Sequence, residues 1–384
     1  MGQTRRKRPR VAIVTRDDGA ISGKVLSAYR HSLAISKKYD VWTILFHGSD
    51  RAEDWAGRIE HADDKTHTTH VFTADLATEH TNRLELYMRA QLLVHLIYEQ
   101  KISALHCFGA HGKVGLVVRY AAETAGIPYM LSFRGTDLTL ETFADELAAN
   151  RLAAEGAKIC TFNNKEAQRL ATKLFALKCP TFAIPNSFDW DEFSKLPVAL
   201  PSYSHPVMGM CASLWRVAGT DQLLSAFELL YPKIRTLLLI GEFWKPEVSY
   251  FKKRLSSLAH RDHVIVTGWI PHERIMGYIR SCDILVFPSV ADGSPNKVLD
   301  GLASGIPVIA AAVGGIRDMI TDRVNGFLLP DPQPKAIAEK VQYVLQHKSL
   351  ASKCARHAQD RISRDFTRKR EYALWENCYR VFLQ

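Results

Sequence analysis

No apolar run in the chain is long enough to cross a bilayer, for which roughly 18 or more apolar residues would be needed. The longest weakly polar stretch, Leu302 to Ile316, is broken by Gly305, Pro307, Gly314 and Gly315 and reads as helix, strand and loop. No signal peptide is expected, because the basic start meets only Val11 to Val14 before Arg16, Asp17 and Asp18. Cysteine is scarce: seven residues, an odd number without a CxxC, argue against a disulfide framework or a zinc site and for a reducing, cytoplasmic compartment. Neither half opens with a GxGxxG element, so a dinucleotide fingerprint is absent, and no period of about 20–50 residues suggests a solenoid.

One-signed charge is also weaker than it looks. The 384 residues carry 50 basic and 40 acidic side chains, a net +10, yet five of the basic ones (Arg5, Arg6, Lys7, Arg8 and Arg10) lie in the first ten positions. The rest of the chain is close to balanced, which argues against a nucleic-acid protein built around one basic face and leaves a basic arm as the remaining route. Residues 1–10 are expected to be a flexible basic tail that either touches an anionic lipid surface at the inner membrane face or has no function. With 47% hydrophobic and 10% aromatic residues the remainder is ordinary globular protein.

What is present is alternation. Strand-length apolar runs at Val11–Val14, Val41–Phe46, Ala104–Phe108 and Ile127–Phe133 are separated by helical periodicities, notably Leu84 to Ile97 and Val114 to Thr124. A Pro- and Ser-bearing stretch with Pro197, Pro201 and Pro206 then reads as a linker, and the pattern restarts with strands at Val207–Cys211, Thr236–Ile240, His263–Thr267, Ile284–Phe287 and Val308–Ala311. The fold class is therefore α/β: two doubly wound, Rossmann-like domains facing a cleft, over residues 11–195 and 206–365. Tyr372, Trp375, Tyr379, Val381 and Phe382 form the apolar face of a helix over 366–384. Its polar face is not especially basic, so packing is favoured over a membrane surface.

The most informative segment runs from Asp283 to Ala311. A strand enters a turn-rich loop, Pro288 to Pro295, and a helix follows from about Asn296 to Gly305. Ser294 reads as the N-cap and Pro295 as the first helical residue, leaving the N–H groups of Asn296, Lys297 and Val298 facing a crevice. Such a helix start suits a phosphate or diphosphate. Asp300 lies on the same face as Asn296 and Lys297 and leans back toward that end, where it can accept hydrogen bonds from a ribose. Asp292, eight residues earlier, is placed for sugar hydroxyls. A glycosidase carboxylate pair is the other chemical option for the two aspartates, but an anion-binding helix start has no purpose in that mechanism. His67 and His70, near His61, Asp63 and Asp64, read as a polar surface loop rather than a metal site.

This segment resembles the donor-binding signature of the retaining, nucleotide-sugar-dependent glycosyltransferases of family 4, which have the GT-B fold. The pattern is acidic–Gly–x–Pro, an acid eight residues after the first, then Ala–x–Gly–x–Pro–Val, with Asp292 and Asp300 standing where Glu is common. Gly314-Gly315-Ile316, Asn325-Gly326-Phe327-Leu328, Val266 to Pro271, Leu239-Ile-Gly-Glu242 and Ile184-Pro-Asn-Ser-Phe-Asp189 also fit. So, in the amino-terminal half, do Gly19 to Gly23 and Phe133-Arg-Gly-Thr-Asp137. The resemblance implies a carboxy-terminal domain that holds a nucleotide diphosphate-sugar through Asp300, Asp292, Gly293, Ser294, Pro295, Asn296, Val298 and Leu299. Gly19, Gly241 and Trp269 would complete the donor site, Trp269 lying near the base. It implies no metal and no cofactor, a carbohydrate, lipid-linked or small-molecule acceptor, and a final helix crossing back to the first domain. The leaving diphosphate would be stabilised electrostatically.

Two departures stand out. Ser213 and Ala218 occupy the positions where the family places an Arg and a Lys on the diphosphate, so Arg216 and Lys297 are the candidates to supply that charge. Arg134 stands where His is usual; it cannot carry a proton at neutral pH but can hold a sugar or an anion. These losses keep open an alternative: a catalytically inactive GT-B module that binds a nucleotide sugar or glycan as a partner subunit.

Overall fold

In a computed structural model of the chain, the described residues are 8–17, 23–49, 58–62, 67–74, 83–110, 113–134, 138, 144–190 and 202–384. The chain divides into two units, Met1–Ile184 with Tyr372–Gln384, and Pro185–Glu371. In the first, an eight-stranded sheet runs β3-β4-β2-β1-β5-β6-β7-β8. Its strands are β1 (Arg10–Asp17), β2 (Asp40–Ser49), β3 (Arg58–Ala62), β4 (Thr68–Ala74), β5 (Ala104–Phe108), β6 (Tyr129–Phe133), β7 (Ile159–Phe162) and β8 (Thr181–Ala183). All neighbours are parallel except β3, which runs antiparallel to β4.

The second unit has six parallel strands in the order β11-β10-β9-β12-β13-β14. They are β9 (Val207–Cys211), β10 (Thr236–Ile240), β11 (Val264–Val266), β12 (Ile284–Phe287), β13 (Val308–Ala311) and β14 (Phe327–Leu329). The central ones are unbroken apolar runs because helices cover both faces of a parallel sheet; every residue of β9, β10, β12 and β13 is buried. The order reverses between β9 and β12, and at such a switch point the loops leaving the carboxyl ends diverge and open a crevice.

Two expectations change. The Thr-rich stretch with His67 and His70 is not a surface loop: Thr68–Ala74 is β4, paired residue for residue with β2. Backbone pairing to an available edge needs no apolar side chains, and β-branched threonine suits it. The first boundary falls at Ile184/Pro185 rather than at 195. Phe188 explains this: it pairs with Thr367 and packs in the core of the second unit. Pro197 and Pro201 of the expected linker lie outside the described residues. Among the described residues no group of His, Cys, Asp and Glu could hold a metal ion, and no helix is long and apolar enough to cross a membrane.

The helix Arg368–Phe382 starts in the second unit and continues in the first, where Trp375, Cys378, Tyr379 and Phe382 are buried with Val11, Ile13, Ala104 and Phe108. Its apolar stripe is thus core. Tyr379 also anchors a buried polar chain. Its Oη lies 3.2 Å from His31 Nε2 and 2.6 Å from His106 Nδ1, while His106 Nε2 is 2.6 Å from Ser132 Oγ, itself 2.6 Å from Thr161 Oγ1. Burial, and secondarily the nearby Arg134 charge, pushes His31 down from 6.5 to about 3. Burial also lowers His106 well below its usual value, helped by His31 and Arg134. Both imidazoles are therefore neutral in the folded chain, whereas the unfolded chain binds protons on them below about pH 6.5.

Unfolding stability is accordingly expected to hold above about pH 6.5. It should then fall as the pH drops toward about 3, by up to about 1.4 kcal/mol per pH unit for each histidine. Urea titrations of the native chain and of His31→Gln between pH 7.5 and 5 check this. The variant should lose stability less steeply, and identical slopes would contradict the assignment.

Candidate functional site

The loops at the carboxyl edge of the second sheet are laced together through their backbones. Val290 N–H donates to Val217 O at 2.8 Å and Gly315 N–H to Gly293 O at 2.6 Å. Leu214 N–H donates to Glu242 O at 2.9 Å, and Trp244 N–H to Leu214 O at 3.0 Å. Two glycines let these loops approach. Gly314 has φ +48°, and a Cβ there would lie 1.9 Å from Asp292 O; Gly219 has φ +80°, and its Cβ would lie 2.0 Å from Pro288 O. Neither conformation nor space admits another residue. Gly241 sits in the same lacework, against Ala212 O, with its N–H donating to Thr267 Oγ1 at 3.0 Å.

Into this frame projects the helix Asn296–Ala303. Its N-cap is Pro295, not Ser294, and no side chain caps it. The Ser294 hydroxyl, freed from that expected duty, is buried and has no hydrogen-bond partner among the described residues. The N–H of Val298 also departs from expectation. Together with that of Leu299 it turns back to Pro295 O, at 3.1 and 3.4 Å, so the anion-facing amides belong to the positions before it. A buried hydroxyl beside an uncapped helix start awaits an acceptor, and phosphate oxygens are acceptors only.

Asp300 is buried, only 8% exposed, and its Oδ2 accepts from Lys297 Nζ at 3.1 Å. The pair lies over the end of β9. Burial chiefly pushes the Cys211 thiol up to about 12, while Lys297 pulls it down and Asp300 raises it. Asp292 is half-buried on the loop, its carbonyl against Gly314. Trp269 is 72% exposed after β11, a position open to stacking rather than packing.

The cation account is more constrained than spacing suggests. Arg216 is held by Glu247: its backbone N–H donates to Oε2 at 2.8 Å and its Nε to Oε1 at 2.9 Å. Its guanidinium lies 5.3 Å from the Tyr250 ring centre. Glu247 raises the Arg216 pKa further, so the charge is permanent but already answered by a carboxylate. Lys297 is likewise answered by Asp300. Arg134, in the first unit, follows β6 and is 8% exposed. It stacks over Phe108 at 4.8 Å and Trp375 at 5.8 Å and donates to Ile184 O at 3.3 Å. Gly19 lies outside the described residues.

Three residues were not singled out by sequence reasoning. Thr220 begins the helix Thr220–Leu230 behind the αL cap Gly219, and its buried hydroxyl also lacks a partner among the described residues. The signal was there in Gly219-Thr220-Asp221 at the start of an apolar periodicity. Glu247 carried no local pattern, and Asn186 lay within Ile184-Pro-Asn-Ser-Phe-Asp189, a stretch that gave it no role. Asn186 Nδ2 donates both to Ser294 O at 2.9 Å and to Asn296 Oδ1 at 2.8 Å.

Residues 199–361, within the second unit and its approach, match the family model described as glycosyl transferases group 1. The chain is similar to the D-inositol 3-phosphate glycosyltransferase of Xylanimonas cellulosilytica, 31% identical over 138 residues, covering 35% of this chain and 32% of that one. It is also similar to the 2-deoxystreptamine glucosyltransferase of Streptomyces kanamyceticus, 24% identical over 246 residues, covering 59% and 63%. The chain thus spans less than two thirds of the length of these curated relatives.

Among solved structures, sucrose-phosphate synthase from Thermosynechococcus elongatus superposes with a TM-score of 0.77 at 16% identity, covering 97% of this chain and 98% of that one. Anabaena HepE in complex with UDP-glucose does so with 0.72 at 19% identity, covering 96% and 99%. The fold is that of the GT-B glycosyltransferases.

Gly314→Ala and Gly219→Ala should each cost at least about 2 kcal/mol, from the left-handed backbone plus the clash with a carbonyl oxygen. Gly268→Ala, where a Cβ meets nothing at φ +69°, should cost only about 1 kcal/mol. Denaturant midpoints of the three variants measure the difference.

Proposed function

We propose that the chain is a retaining glycosyltransferase of family 4 that moves a sugar from a nucleotide diphosphate-sugar to a glycan, lipid-linked or small-molecule acceptor. The observation that carries this reading is the uncapped start of Asn296–Ala303, with the orphaned Ser294 hydroxyl before it and buried Asp300 behind it at the sheet's switch point. On this reading the helix start and Ser294 hold the diphosphate, Asp300 takes the ribose, and Asp292 takes the sugar hydroxyls. Trp269 flanks the base. Charge developing on the leaving diphosphate is met by fixed amides and the helix dipole, with Lys297 alongside. The acceptor proton passes to the leaving phosphate oxygen, so no enzymic base is required.

Arg134, stacked on two aromatic rings, would hold the reacting sugar where the family uses His. Acceptor choice is assigned to the loops of the first unit. That the group 1 family model spans residues 199–361, and that HepE was solved with UDP-glucose, supports the donor assignment. Seven free cysteines support a reducing, cytoplasmic location. The basic first ten residues leave room for peripheral contact with an anionic membrane face.

The inactive-module reading draws on one observation, the neutralisation of Arg216 by Glu247 where Ser213 and Ala218 already replace cations. Thermal melts with UDP, GDP, ADP and TDP, followed by donor hydrolysis and transfer assays with the matching nucleotide sugars, separate the two. We expect one nucleoside diphosphate to raise Tm, turnover to survive EDTA, and Asp300→Ala to weaken that ligand about tenfold or more. Binding without hydrolysis or transfer of any sugar would establish the module instead, and no binding at all would end the donor assignment.

A further inference from the structure

Asn186 is the least expected polar residue near the helix start, because it comes from the other end of the second unit's sequence. The segment that carries it is fastened along its length. Ser187 Oγ donates to Glu371 Oε2 at 2.5 Å, Phe188 N–H donates to Phe366 O at 2.7 Å, and Arg368 pairs with Asp189 at 2.6 Å. These bonds tie the stretch where the chain enters this unit to the stretch where it leaves, and they leave Asn186 with a fixed backbone. A short side chain on a fixed backbone is an orienting device, not a floating surface amide.

Its one NH2 group has two tasks. Donating to Ser294 O fixes the residue whose buried hydroxyl has no partner. Donating to Asn296 Oδ1 satisfies the acceptor side of the first helical residue's amide, so that the donor side of Asn296 is the part left to face a ligand. Without Asn186, the Asn296 amide could rotate and present an oxygen to a phosphate, which would be repulsive.

We infer that Asn186 is a positioning residue for the diphosphate: it makes the start of the Asn296–Ala303 helix an all-donor surface by orienting Ser294 and Asn296. This rests on the donor-site reading above. It extends that reading to a residue whose own side chain need not touch the ligand.

The test measures affinity for whichever of UDP, GDP, ADP and TDP the native chain binds most tightly, and for its parent nucleoside. Asn186→Ala should weaken the diphosphate about tenfold while leaving the nucleoside within about twofold. Asn186→Asp, which replaces the donor by a carboxylate, should be worse than alanine for the diphosphate only. Asn186→Ala added to Asn296→Ala should cost clearly less than it does alone, because part of its effect runs through that amide. Equal losses for nucleoside and diphosphate, or strict additivity with Asn296→Ala, would overturn the positioning role and leave a merely structural one. Thermal midpoints of the free variants identify any that fail to fold, and the Asn186→Asp to Asn186→Ala ordering remains as the second readout. Failure of every nucleotide to bind the native chain would count against the donor-site reading, and the positioning role would fall with it.

Discussion

The second unit depends on a contact with no side chain in it. Gly315 N–H reaches Gly293 O at 2.6 Å, and beside it Gly314 lies against the carbonyl of Asp292. This joins the loop after β13 to the loop after β12, and so fixes the approach to the helix Asn296–Ala303. With that loop fixed, Asp292 and Ser294 have defined places, and Asp300 follows one helical turn behind the amides. Backbone lacing of this kind lets a polar, turn-rich loop hold its geometry on rigid strands, as a preorganised electrostatic site requires.

Charge in the site is arranged differently from what counting cations implies. Arg216 and Lys297 are both present near the switch point, and each faces a carboxylate, Glu247 and Asp300. The Arg216 pair lies near the surface and the Lys297 pair is only partly buried, so in each the carboxylate answers much of the cation's charge. On the proposed donor-site reading, the burden shifts to groups that carry no formal charge: the helix start, the Ser294 hydroxyl and the Asn296 amide. A site built from fixed dipoles selects by direction as well as by charge. On the proposed reading, the Asn296 amide that Asn186 holds is one of those dipoles.

Legibility followed physics rather than length. Ala104–Phe108, Val207–Cys211, Thr236–Ile240, Ile284–Phe287 and Val308–Ala311 could be read to the residue because strands covered on both faces are unbroken apolar runs. Thr68–Ala74 and Arg58–Ala62, the last two strands at one side of the sheet, could not, because strand pairing needs only backbone partners and their polar side chains mimic a loop. At the site, Asp292, Ser294 and Asp300 were legible because they are local to one strand–loop–helix pattern. Glu247 and Asn186 were not, since their partners lie 31 and 108 or more residues away in the chain. Ser294 was found for the wrong reason: it is not the cap, and the absence of that bond is what makes it interesting.

The division of the chain has a consequence for biosynthesis. The second unit is one uninterrupted stretch, Pro185–Glu371, whereas the first closes its core only with residues 372–384. During vectorial synthesis the second unit can therefore finish folding while the first sheet still lacks Trp375 and Tyr379, and β1 and β5 wait with one apolar face uncovered. A half-finished first unit exposing that surface is a natural client for chaperones, and the helix Arg368–Phe382 acts as a latch that closes only after the second unit has been made.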